Sequence, residues 1–184
     1  MLTAHPFLAV TNPVPSKILV VEGWVPDYVL RAAKLEFEQH HYQKLYVTGG
    51  TIGTGAPLSE YKTYGELGAA ILIRMGMDKN SVEAVPASYV RRDRTYASAL
   101  SLKHYLLQQS SDESNLNLIS LGAHSRRSQL LFQKALGERF HVGIIAIENR
   151  EYNPKKWWKF SAGVRSVIDE LIAYMYAVTI FSPE

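Results

Sequence analysis

Residues 118–127 read Leu-Ile-Ser-Leu-Gly-Ala-His-Ser-Arg-Arg and bring His124, Arg126 and Arg127 to one point of the chain. An apolar strand sequence ends there in a small-residue turn, and a helix is expected over 128–136. The first turn of a helix already holds unpaired N–H groups and a partial positive charge, so cations there are locally unfavourable. A bound anion resolves the conflict, because strand-to-helix turns are natural phosphate sites and arginine grips phosphate or carboxylate oxygens in pairs. A second cluster, Arg91, Arg92 and Arg94 with Thr95 behind it, precedes another expected helix; the two clusters hold half of the ten arginines in the chain. Projection of these side chains into water is the alternative.

Other candidates stand at strand ends. Glu22 closes an apolar run and is followed by Gly23 and Trp24. Burial there would raise its pKa and a neighbouring cation would lower it, so it could serve as a base, hold a ligand hydroxyl, or simply neutralise an arginine. Thr48, Gly49 and Gly50 end a second strand, and glycine permits close backbone approach or positive φ. Ser59 and Glu60 read as the cap and first acid of a helix. His124 could donate to an anion or move a proton. The remaining histidines show no ligand spacing, which points away from a metal site. Gly49-Gly50-Thr51-Ile52-Gly53 lacks the dinucleotide register, and no Walker lysine is present. Ser125 lacks a nucleophile elbow.

These residues need a frame, and the chain alternates strand and helix patterns. Strands are expected at 17–22, 44–48, 81–85, 117–121 and 141–147. Helices are expected at 26–39, from Ser59 to Gly76, from Thr95 to about Gln109, and over 128–136, with a polar loop at 110–115. A long final helix, 161–181, is apolar on nearly all sides and is expected to pack across the sheet. Trp157, Trp158 and Tyr152 before it read as cover for the sheet or site edge. Five strands alternating with helices give an α/β fold, a three-layer Rossmann-like sandwich with a mainly parallel sheet. Ligands of such sheets bind outside the carboxyl ends of the strands, where all of these candidates lie.

Bulk properties set limits. The 184 residues suffice for one domain with a full core. The chain is 47% hydrophobic and 20% charged, with net charge +3. That charge is too weak to argue for nucleic acid, and no nucleic-acid motif is present. The absence of cysteine excludes disulfides and thiolate chemistry. No apolar run of about 18 residues is present to span a membrane, and the first sixteen residues lack the pattern of a signal peptide.

The ordered motifs resemble the YdcF/SanA/ElyC family, a bacterial group of largely undefined biochemistry. They are the strand Ile18-Leu19-Val20-Val21 with its glycine turn, Arg31-Ala32-Ala33, Thr48-Gly49-Gly50, Ser59-Glu60, Arg94-Thr95-Tyr96-Ala97-Ser98-Ala99, and Ala123-His124-Ser125-Arg126-Arg127. The likeness covers roughly residues 17–177. It is narrower still to a branch with Val-Glu-Gly-Trp after the first strand. The chain departs from the commoner pattern at Glu22-Gly23-Trp24, at Arg94, and at Ala97-Ser98, where an amide and an acid are replaced. The resemblance implies a Rossmann-like fold spanning 17–181 and a cell-envelope role. It also implies that residues 1–16 are a tail following a membrane anchor upstream; a soluble cytoplasmic protein is the alternative.

Three readings follow. In the first, Arg94, Arg126, Arg127 and His124 hold a phosphate or pyrophosphate, Gly49 and Gly50 add backbone donors, and Glu22 is the base or orienting acid; the ligand is a phosphorylated lipid carrier or a nucleotide-sugar. The second is a nucleotide-type or S-adenosylmethionine-type binder. The third is a non-catalytic envelope module touching lipid or a protein partner. No cofactor is named by any of these motifs.

Overall fold

All five side chains of β1 (Ile18–Glu22) are buried, as expected of a parallel strand covered on both faces. In the computed structural model, which describes residues 3–109 and 113–182, β1 is the centre of a five-stranded, all-parallel sheet. It is joined by β2 (Lys44–Gly49), β3 (Val82–Pro86), β4 (Asn115–Leu121) and β5 (His141–Ile147) in the order β3-β2-β1-β4-β5. The chain builds outward from β1 to β3, then crosses back to lay β4 on the other side of β1. The strand order therefore reverses between β1 and β4, and that crevice is where such sheets bind ligands.

Alternation along the strands divides the core. Leu19, Val21, Leu45, Val47 and Ile119 face α2 (Asp27–Gln39) and α3 (Tyr64–Arg74). Val20, Tyr46, Leu118 and Ile144 face α4 (Arg94–Gln108) and α5 (Ser125–Leu136), where Phe132 is completely buried. The protein is thus an α/β domain, a three-layer Rossmann-like sandwich, as its sequence alternation indicates.

Several local expectations are corrected. Helix α3 begins at Tyr64, not at Ser59. Thr63 is its cap, accepting from the Glu66 N–H while the Glu66 carboxylate accepts from Thr63 N–H. This reciprocal box satisfies two orphan donors, whereas Ser59 has Lys62 three residues on and closes only a local turn to the Tyr61 N–H. Helix α4 starts at Arg94, so Thr95 lies inside its first turn; its cap, Asp93, is in the left-handed region with φ 57° and makes no side-chain capping bond. Helix α5 starts at Ser125, three residues early, after a 3-10 turn at Gly122–His124 in which Gly122 has φ 47°. The loop expected at 110–115 lies partly outside the described residues, and Asn115 already belongs to β4.

The final helix, α6 (Ser161–Thr179), does not cross the sheet. Both sheet faces are already filled, so it packs against α5 and α1 (Ala4–Leu8), burying only Gly163, Val167 and Ala177. Residues 3–16 are integral to the domain rather than a free tail. Leu8 is completely buried beside Tyr152 and Trp157, and the Asn117 side chain bonds both N–H and C=O of Val14 at 2.8 Å. Trp158 is half-exposed.

Gly23 and Gly49 serve packing, not positive φ. A Cβ on Gly23 would lie 2.2 Å from the Tyr64 carbonyl oxygen, and one on Gly49 would lie 2.8 Å from the Gly65 nitrogen. Both glycines let the start of α3 seat directly on the strand ends. Gly23→Ala should therefore destabilise the domain by about 3 kcal/mol, because the clash is with backbone. Urea unfolding of this variant beside wild type checks the value.

Candidate functional site

The Glu22 carboxylate lies at the crevice between β1 and β4, only 3% exposed. Ser120 of β4 donates to one of its oxygens, and Ser128 of α5 donates to both at 3.1 and 3.2 Å. His124 reaches it from the β4–α5 turn, with Nε2 3.4 Å from Glu22 Oε1 but poorly aligned for a hydrogen bond. The opposite ring nitrogen, Nδ1, donates to Glu170 Oε1 at 2.7 Å. Arg127 grips the same carboxylate with two donors, Nε at 2.7 Å from Oε2 and a terminal nitrogen at 3.0 Å from Oε1. The imidazole and guanidinium donors converge on that oxygen, which brings them to 2.9 Å of each other. The Trp24 ring stands perpendicular to the imidazole, centroids 5.0 Å apart.

Two carboxylates and two cations thus form a largely buried, electrically balanced quartet. Burial pushes the His124 pKa down, but the charge of Glu22 and the contacts with Glu170 outweigh it and hold the pKa up at about 9. Burial pushes Glu170 up, and its bonds from His124 and Arg127 pull it down to about 2. Burial also acts to raise Glu22, yet the neighbouring imidazolium, aided by hydrogen bonds from Ser120 and Trp24, leaves it below the ordinary carboxylate value. At neutral pH the histidine is therefore charged and both acids are ionised. In this state Glu22 balances the charge of His124.

A cleft of about 590 Å³ opens above the quartet. Of the residues singled out in the sequence, Glu22, Thr48, Gly49 and Gly50 border it from the ends of β1 and β2. Arg94 and Thr95 border it from the start of α4, and His124 and Arg127 from the β4–α5 turn. Gly23, Ser59, Glu60 and Arg126 lie outside it. Gly23 is sealed beneath α3, and Ser59 and Glu60 belong to the loop before that helix. The Arg126 guanidinium lies over the Phe7 ring at 4.1 Å and its Nε donates to the Phe7 carbonyl, tying α5 to α1. Arg127 lines the cleft, but Glu170 already occupies its guanidinium.

The sequence reading did not name Glu170, Ser120 and Ser128. For Glu170 a signal existed, since it is one of three charged residues inside an otherwise apolar helix, and a charge so placed needs a partner. The serines carry no such mark.

Two residues that line the cleft carry buried polar atoms without a partner. His124 Nε2 and Thr48 Oγ1 are both buried without a hydrogen-bond partner. At the rim, Arg91 and Arg94 make no ion pair among the described residues, and Arg92 reaches only Asp93, at 3.8 Å. They surround the N-terminus of α4, whose cap supplies no side-chain acceptor. Among the described residues no group of three or more His, Asp or Glu is placed to hold a metal ion, and no helix is long and apolar enough to cross a membrane. The fold and site define a Rossmann-like α/β domain with a charged cleft at its topological switch point. No protein-family model matches the chain, and neither a curated protein nor a solved structure matches it.

The coupled ionisations give stability a defined pH profile. His124 has its pKa raised above the ordinary 6.5, so its contribution is complete below about pH 6.5 and is lost as pH rises through about 9. Glu170 is lowered from 4.5, so its contribution is complete above that value and fades as pH falls towards 2. From pH 6 to pH 10 the wild-type protein should lose about 3 kcal/mol through His124. Urea unfolding across that range should show the loss, and His124→Gln should flatten it.

Proposed function

We propose that the cleft binds a small ligand carrying a phosphate or pyrophosphate group. The observation that carries this reading is the pair of unpaired arginines, Arg91 and Arg94, at the uncapped N-terminus of a fifteen-residue helix opening onto the switch-point cleft. Helix N–H groups and arginine forks are complementary to phosphate oxygens. Thr48 borders the same cleft, and the charged His124 ring beneath it adds positive potential. Gly49 and Gly50 border the same space, and a side chain at Gly50 would project into open volume, so a ligand can approach the backbone there. In this arrangement Glu22 and Glu170 hold the His124 ring from both sides, so its contribution to a ligand is positive charge beneath the cleft.

The grip therefore lies on the β3–α4 arginines, with Arg127 committed to the quartet and Arg126 to α1. The resemblance described above adds the cell-envelope setting, in which phosphorylated lipid carriers and nucleotide-sugars are ligands of this chemistry.

A thermal-shift titration tests the reading, since a ligand that binds the native state raises Tm with concentration. Pyrophosphate, a prenyl pyrophosphate and a nucleotide-sugar are the probes, with S-adenosylmethionine beside them. At least one phosphate-bearing probe should raise Tm. Arg91→Ala/Arg94→Ala should weaken it by about 10- to 100-fold, as expected for losing charged hydrogen bonds, and Arg126→Ala should leave it unchanged. No response to any phosphate-bearing probe overturns the proposal. A response to S-adenosylmethionine that survives the double substitution would favour the nucleotide-type reading instead.

A further inference from the structure

Helix α6 presents a row of apolar side chains of which only Leu171 is drawn into the core, where it packs on the Leu8, Tyr152 and Trp157 cluster. Val164, Ile168, Leu171, Met175 and Val178 follow one another at alternating steps of four and three residues, the 3.5-residue period of a seam between two helices. Leu171 is half-buried. Val164, Ile168, Met175 and Val178, with the adjacent Ile172, are 36% to 65% exposed. The buried side of the helix is served by Gly163, Val167 and Ala177, so the seam is surplus to the needs of the monomer.

With Phe160 at its head and Ile172 beside it, this row exposes roughly 500 Å², within the range of the largest patches on monomers. A stable interface takes roughly 800 Å² from each partner, of which the row supplies the larger part before its polar flanks are counted. The spacing suits a helix as the partner. Apart from Glu170, the charged residues of α6 are Arg165 and Asp169, and the exposed Lys155, Lys156 and Lys159 stand before its first turn rather than along the row. The row itself therefore lacks the basic flank that draws an amphipathic helix to anionic headgroups. A seam that runs along a single helix is self-complementary under two-fold symmetry. We infer that a second copy of this chain packs its α6 along this seam, forming a two-fold homodimer. The inference is independent of the ligand reading, although the same helix carries Glu170 to the quartet.

Sedimentation equilibrium of the whole chain at about 50 µM tests it, above the micromolar Kd expected for an interface near standard size. The wild-type protein should be dimeric. Ile168→Glu/Ile172→Glu should weaken association about 30-fold or more with an unchanged circular dichroism spectrum. Because the chain has no cysteine, Ile172→Cys and Met175→Cys each introduce a sole thiol. Mild oxidation should give a disulfide-linked dimer from at least one of them, faster than from Leu58→Cys, whose site is 96% exposed on a distant loop. A monomeric wild-type protein overturns the inference, and seam-dependent binding of that monomer to phosphatidylglycerol vesicles would assign the surface to lipid. A dimer that both glutamate substitutions leave intact also overturns it, since another surface would then be in use.

Discussion

Glu22 places an ionised carboxylate at the end of the central strand, almost wholly buried on the floor of the cleft. An uncompensated buried charge costs several kcal/mol even after relaxation, so much of the surrounding architecture answers to this group. Ser120 and Ser128 satisfy its oxygens, and His124 supplies the opposing charge. The imidazolium is itself buried and needs a second acceptor, which Glu170 provides from a helix 46 residues away in sequence. Glu170 in turn carries its own charge, which Arg127 neutralises. Each member is tolerable only because the next is present, and the sequence of compensations ends in a balanced group of four.

That balance governs what the cleft offers to a ligand. Arg127 looks like an anion receptor in isolation, but its fork is filled by a protein carboxylate. The charge that remains available is on the β3–α4 loop, where Arg91 and Arg94 have no acidic partner among the described residues. The balanced quartet on the floor and the free charge at the rim are therefore separate, and under the proposed function it is the rim that would hold the ligand's anionic group. The separation is possible because the strand order reverses between β1 and β4, opening a crevice between the two loops that follow them.

The close seating of α3 on the sheet works towards the same end. Gly23 and Gly49 carry no side chain because the first turn of α3 occupies the space a Cβ would need. Glycines after strands are easily read as ligand contacts; here Gly23 and Gly49 seat α3, and at Gly50 alone of the three a side chain would meet nothing. On the opposite side, Tyr176 of α6 and Phe181 just beyond its end border the cleft, while the Lys134 amino group holds the carbonyls of Ala177 and Phe181.

Much of the fold was legible because it rests on local chemistry. Apolar runs of five to seven residues between glycine or polar turns can form buried parallel strands, and their alternation with helical patterns leaves few architectures open. The strand-end placement of Glu22, Thr48, Arg94 and His124 follows from that architecture. Boundaries failed where two local signals competed, as when the reciprocal box of Thr63 and Glu66 prevailed over the lone Ser59. Contacts between distant segments were decided by the tertiary structure alone. Successive residues on a helix point about 100° apart, so Arg126 and Arg127, indistinguishable as neighbours in sequence, are sent to Phe7 and to Glu170. The azimuth of α5 on the sheet and the path of α6 over its end determine which arginine meets which partner. Those depend on the packing of the whole core rather than on any one stretch of chain.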